Sequence, residues 1–488
     1  MNDHFESVDL KKILDIIVAF NSERDFMNLL DIILTKMRGI ANCEAGTLYV
    51  VRDDKLHFAI MHNEKLDVYL REEAITLPPI SLDKTSIENV SAYCAINNSV
   101  VNIADVYDST EFNFQGPRNY DKITGFRTKS MMVFPLLDLH GHVIGVIQLI
   151  NARDESDVII PFDERMKFVF RSIANIAAST LANLQNIAEI KGLFYSFVSV
   201  ISQAIDERSP YNVNHAKQTA EYAKEFVHFL RDRFPQDSEL YFDDNREEQL
   251  ILAILMHDIG KVVTPIDIMG KESRIASRLP IIRQRFDIRK LQDKVDCLSG
   301  RISESELSER TQSLDESLAF VDKINNATIL FDEDAETVRK LADITYVDAD
   351  GNTSPIFEEY DMECLLIKRG TLTDSEREVM QDHVAVGGRL LDNIKFNRQY
   401  ENVPDWVKKH HEFLDGTGYP NRIKEDSIPP EARIITILDI FDALTASDRP
   451  YRGALPYEKS IGILSSMADE GKLDKGLVDL FAESGVKK

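Results

Sequence analysis

The stretch Ile254-Leu255-Met256-His257-Asp258-Ile259-Gly260-Lys261 decides how the rest of this 488-residue chain is read. Its apolar start predicts a buried helix that ends on a His-Asp pair. An imidazole beside a carboxylate at a helix end can grip a divalent ion, and Gly260 is expected to stop the helix so that Lys261 faces the same site. Alone, such a pair is as compatible with a protein surface as with a site. The other histidines break the tie. Of eleven in the chain, His215, His257, His383, His410 and His411 all fall in segments that read as helices or helix ends.

The length calls for two or three domains, and 43% hydrophobic content is enough to build their cores. There are 57 basic against 82 acidic residues, a net charge of -25. That excludes a nucleic-acid backbone or an anionic membrane surface as the main partner, while leaving room for a local basic pocket that takes a small phosphate ester. Cys43, Cys94, Cys297 and Cys364 are far apart and lack metal-ligand spacing, so they read as reduced thiols of a cytosolic protein. The opening residues are too polar for a signal peptide and no apolar run reaches membrane-spanning length. A soluble, cytoplasmic protein is expected.

After a helical lead-in over residues 1–21, a helix from Phe26 to Met37 carries Phe26, Leu29, Leu30, Ile33 and Leu34 in a 3.6-residue rhythm. Strands are expected at Ala45 to Val51, Leu56 to Ile60, Ser130 to Leu136 and Val143 to Ile150, the last two joined by a turn at His140 to His142. This is an α+β pattern with one antiparallel sheet, and nothing in it looks catalytic. From Arg165 to Ala204 there is no proline and only one glycine, Gly192. The apolar stripe of this connecting helix, placed at 165–210, is too long for one small domain to bury, which suggests a parallel helix pair in a homodimer. The alternative is two helices broken at Gly192.

The chemistry falls in the second half. His215 starts a helix whose apolar face includes Ala216, Ala220, Ala223 and Val227. Thr373 and Glu376 form a capping box that opens a helix carrying His383. His410 and His411 follow, then the loop Asp415-Gly416-Thr417-Gly418-Tyr419-Pro420, then a buried helix with Asp439 and Asp442 on one face. Neutral imidazoles and carboxylates suit Fe, Mn and Zn, and this many exceed what one tetrahedral site uses. Two ions about 4 Å apart can clamp a phosphate and activate a water, so phosphodiester hydrolysis is the natural reaction.

Two family resemblances sharpen this reading. The segments Val101 to Tyr107, Phe112-Asn113, Asp121 to Ser130 and Gly145 to Asn151 resemble the GAF domains that bind cyclic nucleotides in phosphodiesterases and cyclases, which implies a GAF sensor domain over 22–185. Of that family's Asn-Lys, Phe, Asp, Glu signature the chain keeps Asn151, Phe162, Asp163 and Glu164, with Ala152 in place of the lysine. The resemblance makes Asn151 and Asp163 candidate contacts to a cyclic nucleotide. On the residues alone they read as a structural turn and a helix N-cap.

The segments His257 to Lys261, Leu372 to His383, His410 to Pro420 and Ile428 to Arg452 resemble, in that order, the HD-GYP subfamily of HD-domain phosphohydrolases, whose members hydrolyse cyclic di-GMP and related cyclic dinucleotides. The resemblance implies an all-α HD-type domain over 205–488, interrupted by a helical insertion at about 272–368. By position the family's metal ligands fall on His215, His257, Asp258, His383, His410, His411 and Asp439, with Asp258 bridging two divalent ions, Fe or Mn. Asp442 is then structural. Asp258 and Lys261 are the implied catalytic residues, and Lys261, Arg449 and Arg452 the phosphate contacts. Tyr419 either lines the guanine pocket or braces its loop. Among departures from the family, Val384 replaces a proline, and Arg422 and Glu425 replace glycines. Tyr211 stands where three-ion members carry an acid, which favours two ions. The insertion is expected to form a helical hairpin from Arg278 to Leu298 and Ser303 to Asn325, able to lid the site or meet a protein partner.

The chain therefore reads as a GAF-regulated, metal-dependent phosphodiesterase acting on a cyclic dinucleotide, with cyclic di-GMP converted to pGpG or GMP. Its rivals are a signalling adaptor that binds proteins through the GYP loop and insertion, and an HD phosphohydrolase for another nucleotide.

Overall fold

The computed structural model describes residues 10–83, 88–208, 214–446 and 454–487. The chain divides into two units, Met1–Leu193 and Phe194–Lys488.

In the first unit an antiparallel sheet has the strand order Val68–Arg71, Lys55–Asn63, Cys43–Arg52, Val143–Arg153, Met131–Leu137, Val101–Ile103. All four expected strands are present, three of them longer by a few residues and the Ser130–Leu136 strand shifted by one to Met131–Leu137. Register pairs Leu48 with Ile147 and Ile147 with Phe134 across the centre. Because side chains alternate along a strand, Leu48, Val50, Phe134 and Leu149 face one way and Tyr49, Met131, Val133 and Val146 the other. The first set is covered by the helix Phe26–Ala41, through Leu30, Ile33 and Leu34, and by Phe170, Ile173 and Ala177. Of the second set, Tyr49 and Met131 line a cavity of about 440 Å³ whose walls also include residues of the Val90–Asn97 and Gln115–Thr124 segments.

The helix Met166–Asp206 contains Gly192, so no break falls there. Its early residues pack into the first core, while Ile187, Ile190, Leu193, Phe197 and Val200 are exposed.

The second unit is mostly helical. Its core gathers Phe226 and Leu230 from His215–Arg233, Leu252 and Ile254 from Asp244–Met256, Leu438 and Phe441 from Pro430–Thr445, and Phe481 from Lys475–Ser484. The insertion builds a separate core. Helices Leu279–Leu298 and Glu304–Asn325 form the expected hairpin, with Ser303 and Glu306 closing a capping box. Ile282, Phe286, Val321 and Ile324 pack there with Val338, Phe357 and Leu365. The expected helical HD-type domain is thus present, and the insertion adds a two-stranded hairpin, Thr345–Val347 with Thr353–Pro355, turned at Gly351 with φ +87°. Among the described residues no helix is long and apolar enough to cross a membrane.

Candidate metal centre

Three histidines are aimed by one device. His257 follows the last residue of the helix Asp244–Met256, His383 opens His383–Asp392 and His410 follows Val403–Lys409. In each the ring Nδ1 lies 2.6–2.7 Å from the carbonyl three residues back, those of Ile254, Met380 and Val407. A carbonyl only accepts, so Nδ1 carries the proton and Nε2 is left as a lone pair. His215, first residue of its helix, is held by a carboxylate instead. Its Nδ1 is 2.6 Å from Asp442 Oδ2, while its Nε2 faces Asp439 Oδ1 at 3.1 Å. Asp442 thus orients the His215 ring, the contact a metal-binding histidine commonly has.

All seven sequence-selected ligands meet in one buried place. His215 Nε2 is 3.3 Å from His257 Nε2, which lies 3.4 Å from Asp258 Oδ2. Asp258 Oδ1 lies 3.3 Å from His383 Nε2, and His411 Nδ1 3.7 Å from Asp439 Oδ2. Three groups have ligand atoms within 4.8 Å of one another: His383, His410 and His411; His215, His257 and Asp439; His257, Asp258 and His410. His383 Nε2, His410 Nε2 and Asp258 Oδ1 are buried without a hydrogen-bond partner. Orphaned acceptors at this depth are costly, and a shared cation would satisfy all three. The donor set therefore fits bound metal.

The electrostatics agree. Burial, then neighbouring imidazoles, holds His410 well below the ordinary histidine value, and burial takes His411 down to about 3. Burial also lowers His383. These rings are neutral near pH 7, the form that binds metal. Burial opposes charge on His215 too, but its hydrogen bonds to Asp439 and Asp442 prevail and raise it to about 10. An ion would take the place of the Nε2 proton there. For Asp258, burial is outweighed by His257 and Lys261, which hold it well below the carboxylate range. Lys261 Nζ sits 2.5 Å from Asp258 Oδ2.

Gly260 does not act as a helix stop. The helix ends at Met256, and a 3₁₀ turn runs over Ile259–Val263. A Cβ at Gly260 would lie 1.8 Å from the His383 carbonyl, so glycine lets the two ligand-bearing segments touch. Gly418 has a similar role, since a Cβ there would lie 2.3 Å from the Phe413 nitrogen. The loop folds back so that Tyr419 N–H donates to the His411 carbonyl at 3.0 Å and its ring sits 4.7 Å from the His411 ring. Buried Glu412 accepts from the Asn421 and Ile423 amides at 2.7 and 3.1 Å and fixes the loop exit.

The expected helix through His383 is divided at Asp382 into Asp374–Gln381 and His383–Asp392. Arg449, Arg452 and Tyr211 lie outside the described residues. In the first unit Asn151 and Asp163 do not line the cavity. Asn151, fully buried at φ +59°, accepts from the Lys129 amide and donates to Glu44 and the Arg127 carbonyl, which makes it a strut between strands. Asp163 is exposed and grips Arg165. Sequence reasoning missed Arg208, whose guanidinium donates to the carbonyls of Lys261, Val262 and Thr264, and Asp206, which accepts from Ala216 N–H at 3.2 Å beside His215. Their only signal was position at the end of the connecting helix.

A GAF domain family model matches residues 25–181 and an HD domain model residues 362–477. The chain is 40% identical over 100 residues to the 3'3'-cGAMP-specific phosphodiesterase 3 of Vibrio cholerae, covering 20% of this chain and 21% of that one. It is 26% identical over 275 residues to 3'3'-cGAMP-specific phosphodiesterase 2 of the same organism, covering 55% and 47%. It is 38% identical over 109 residues to the cyclic di-GMP phosphodiesterase response regulator RpfG of Xanthomonas campestris, covering 22% and 28%. The chain thus spans less than half the length of each of these curated relatives. With an antiparallel sheet and helices in its first unit and a His-Asp centre among the helices of its second, the chain contains a GAF domain followed in sequence by an HD domain.

Proposed function

We propose that the second unit is a metal-dependent phosphodiesterase acting on a cyclic dinucleotide, cyclic di-GMP or 3'3'-cGAMP, under the control of the GAF domain. The observation that supports this reading is the convergence of seven His and Asp side chains, among which His383 Nε2, His410 Nε2 and Asp258 Oδ1 are buried without a partner. Two divalent ions, Fe or Mn, would be held by His215, His257, Asp258, His383, His410, His411 and Asp439, and when bound supply activation of water and neutralisation of phosphate charge. Asp258 presents one oxygen toward His257 and the other toward His383, so it could serve both ions. Lys261, paired with Asp258, keeps a cation where charge builds on the phosphoryl oxygens. Hydrolysis puts water oxygen on phosphorus and releases the 3′-oxygen as an alcohol. Arg449 and Arg452 are proposed as further phosphate contacts on the resemblance alone. Tyr419 packs on His411, which supports a bracing role for its ring.

The exposed stripe from Ile187 to Val200 supports a homodimer through the connecting helix, checked by sedimentation of the full chain. Activity is tested by loading the purified chain with Fe or Mn, measuring metal content and following products from both cyclic dinucleotides. Turnover of at least one, lost in Asp258→Ala, is expected. A metal-replete chain that leaves both intact overturns the proposal.

A further inference from the structure

We propose that the insertion carries a self-association surface: the outward face of its helix Leu279–Leu298 pairs antiparallel with the same helix of a second copy of this chain. The inference is independent of the reading of the metal centre and of any pairing of the connecting helix. Ile282, Phe286 and Asp293 turn one side of Leu279–Leu298 into the insertion. On the opposite side Ile281, Ile288, Leu291, Val295 and Leu298 are 39–89% exposed.

Their spacing is that of a coiled-coil seam. Ile281, Ile288 and Val295 recur every seven residues, and Gln284, Leu291 and Leu298 follow each of them by three. Gln284 is the one polar seam position. The stripe runs about 26 Å along the helix, a contiguous apolar face of the kind that another helix covers and that scattered surface residues do not make.

The charges beside the stripe say which helix. Arg283, Arg285, Lys290 and Asp296 are each ion-paired within the insertion. Asp287 and Lys294, both exposed on one flank of the stripe, have no ion pair among the described residues. In an antiparallel pair about a two-fold axis, the seam layers set Ile281 on the partner's Leu298, Gln284 on the partner's Val295 and Ile288 on the partner's Leu291. Asp287 then faces the partner's Lys294, and the symmetry makes that contact twice. A parallel pair would set Asp287 beside the partner's Gln292 and Lys294 beside the partner's Ser299, which leaves both charges unmatched. Opposite charges across an interface fix register and partner, so the occupant this face suits is the chain itself.

The test mixes isotopically labelled and unlabelled full chain, adds a carbodiimide that joins a touching carboxylate and amine as an amide, and identifies the linked peptides by mass spectrometry. Within one helix Asp287 and Lys294 lie about 10 Å apart along the axis, too far for such a link. A link from Asp287 of one chain to Lys294 of the other is expected between labelled and unlabelled copies, with its yield at least tenfold lower in Leu291→Glu. Sedimentation of the full chain gives a second readout. Asp287→Lys and Lys294→Asp should each weaken self-association about tenfold, and the two together should restore it. Should Leu291→Glu fail to fold, the exchange of these two exposed charges decides alone. Absence of the link between copies, an unchanged yield in folded Leu291→Glu, or a double exchange that associates no more tightly than the single ones overturns the proposal. A chain that pairs only through its connecting helix gives the first of these results.

Discussion

Gly260 and His383 are 123 positions apart, yet a single methyl group between them would collide with backbone at 1.8 Å. Backbone cannot yield as a flexible side-chain tip can. Gly260→Ala is expected to cost about 3 kcal/mol, the upper range for overpacking, and to reduce metal content, both measured on the purified variant by denaturant unfolding and elemental analysis. His410→Ala tests the opposite case. It removes one ligand from the buried centre, so the fold should persist by circular dichroism while metal affinity drops by more than about a hundredfold, beyond the usual loss for an outer-shell partner. The seven side chains that cluster were legible in the sequence as candidates because histidine and aspartate chemistry narrows their use and each fell on a helix or helix end. The reason for Gly260 was not legible. It depends on which distant backbone comes close, and periodicity carries no such information.

At the level of elements, the capping box of Thr373 and Glu376 could be read from spacing, but not what else Glu376 does. Its carboxylate is bound by Lys271 Nζ at 2.7 and 2.9 Å and by Tyr360 Oη at 2.5 Å, which ties the insertion to the segment leading into His383. Burial works against this carboxylate's charge, but Lys271, Tyr360 and the Thr373 amide prevail and lower its pKa below the ordinary 4.5. A depressed carboxylate stabilises the fold fully above 4.5 and loses that contribution as pH falls through the lowered value. The melting temperature of the second unit should accordingly fall on acidification below 4.5, and less steeply in Glu376→Gln. The connecting helix was visible as a long stretch without proline, whereas the grip of Arg208 on three carbonyls beyond it was not, because backbone acceptors leave no mark in sequence. Arg208→Ala should loosen residues 261–264, seen as faster amide exchange there, and lower kcat about tenfold through misplacement of Lys261.

For the whole molecule, two units with separate cores predict two unfolding transitions. Ions bound only in the second unit stabilise only that unit, so chelation should lower one melting transition and leave the other in place, as calorimetry with and without chelator would record. The division into a sheet-bearing and a helical half was readable from the change in hydrophobic period. The insertion's small hairpin was not, since three-residue strands give too few positions to show alternation.

The seam of that insertion has its own consequence. Arg274, just inside its start, donates to the carbonyls of Ala327 and Ile367, and Ile329 bridges to Arg369 at its end. Departure and return of the chain are thereby stitched to one another before either meets the host helices. A segment closed on itself in this way keeps its own core whatever happens at its border, and its hold on the host helices rests on such contacts as Tyr360 with Glu376.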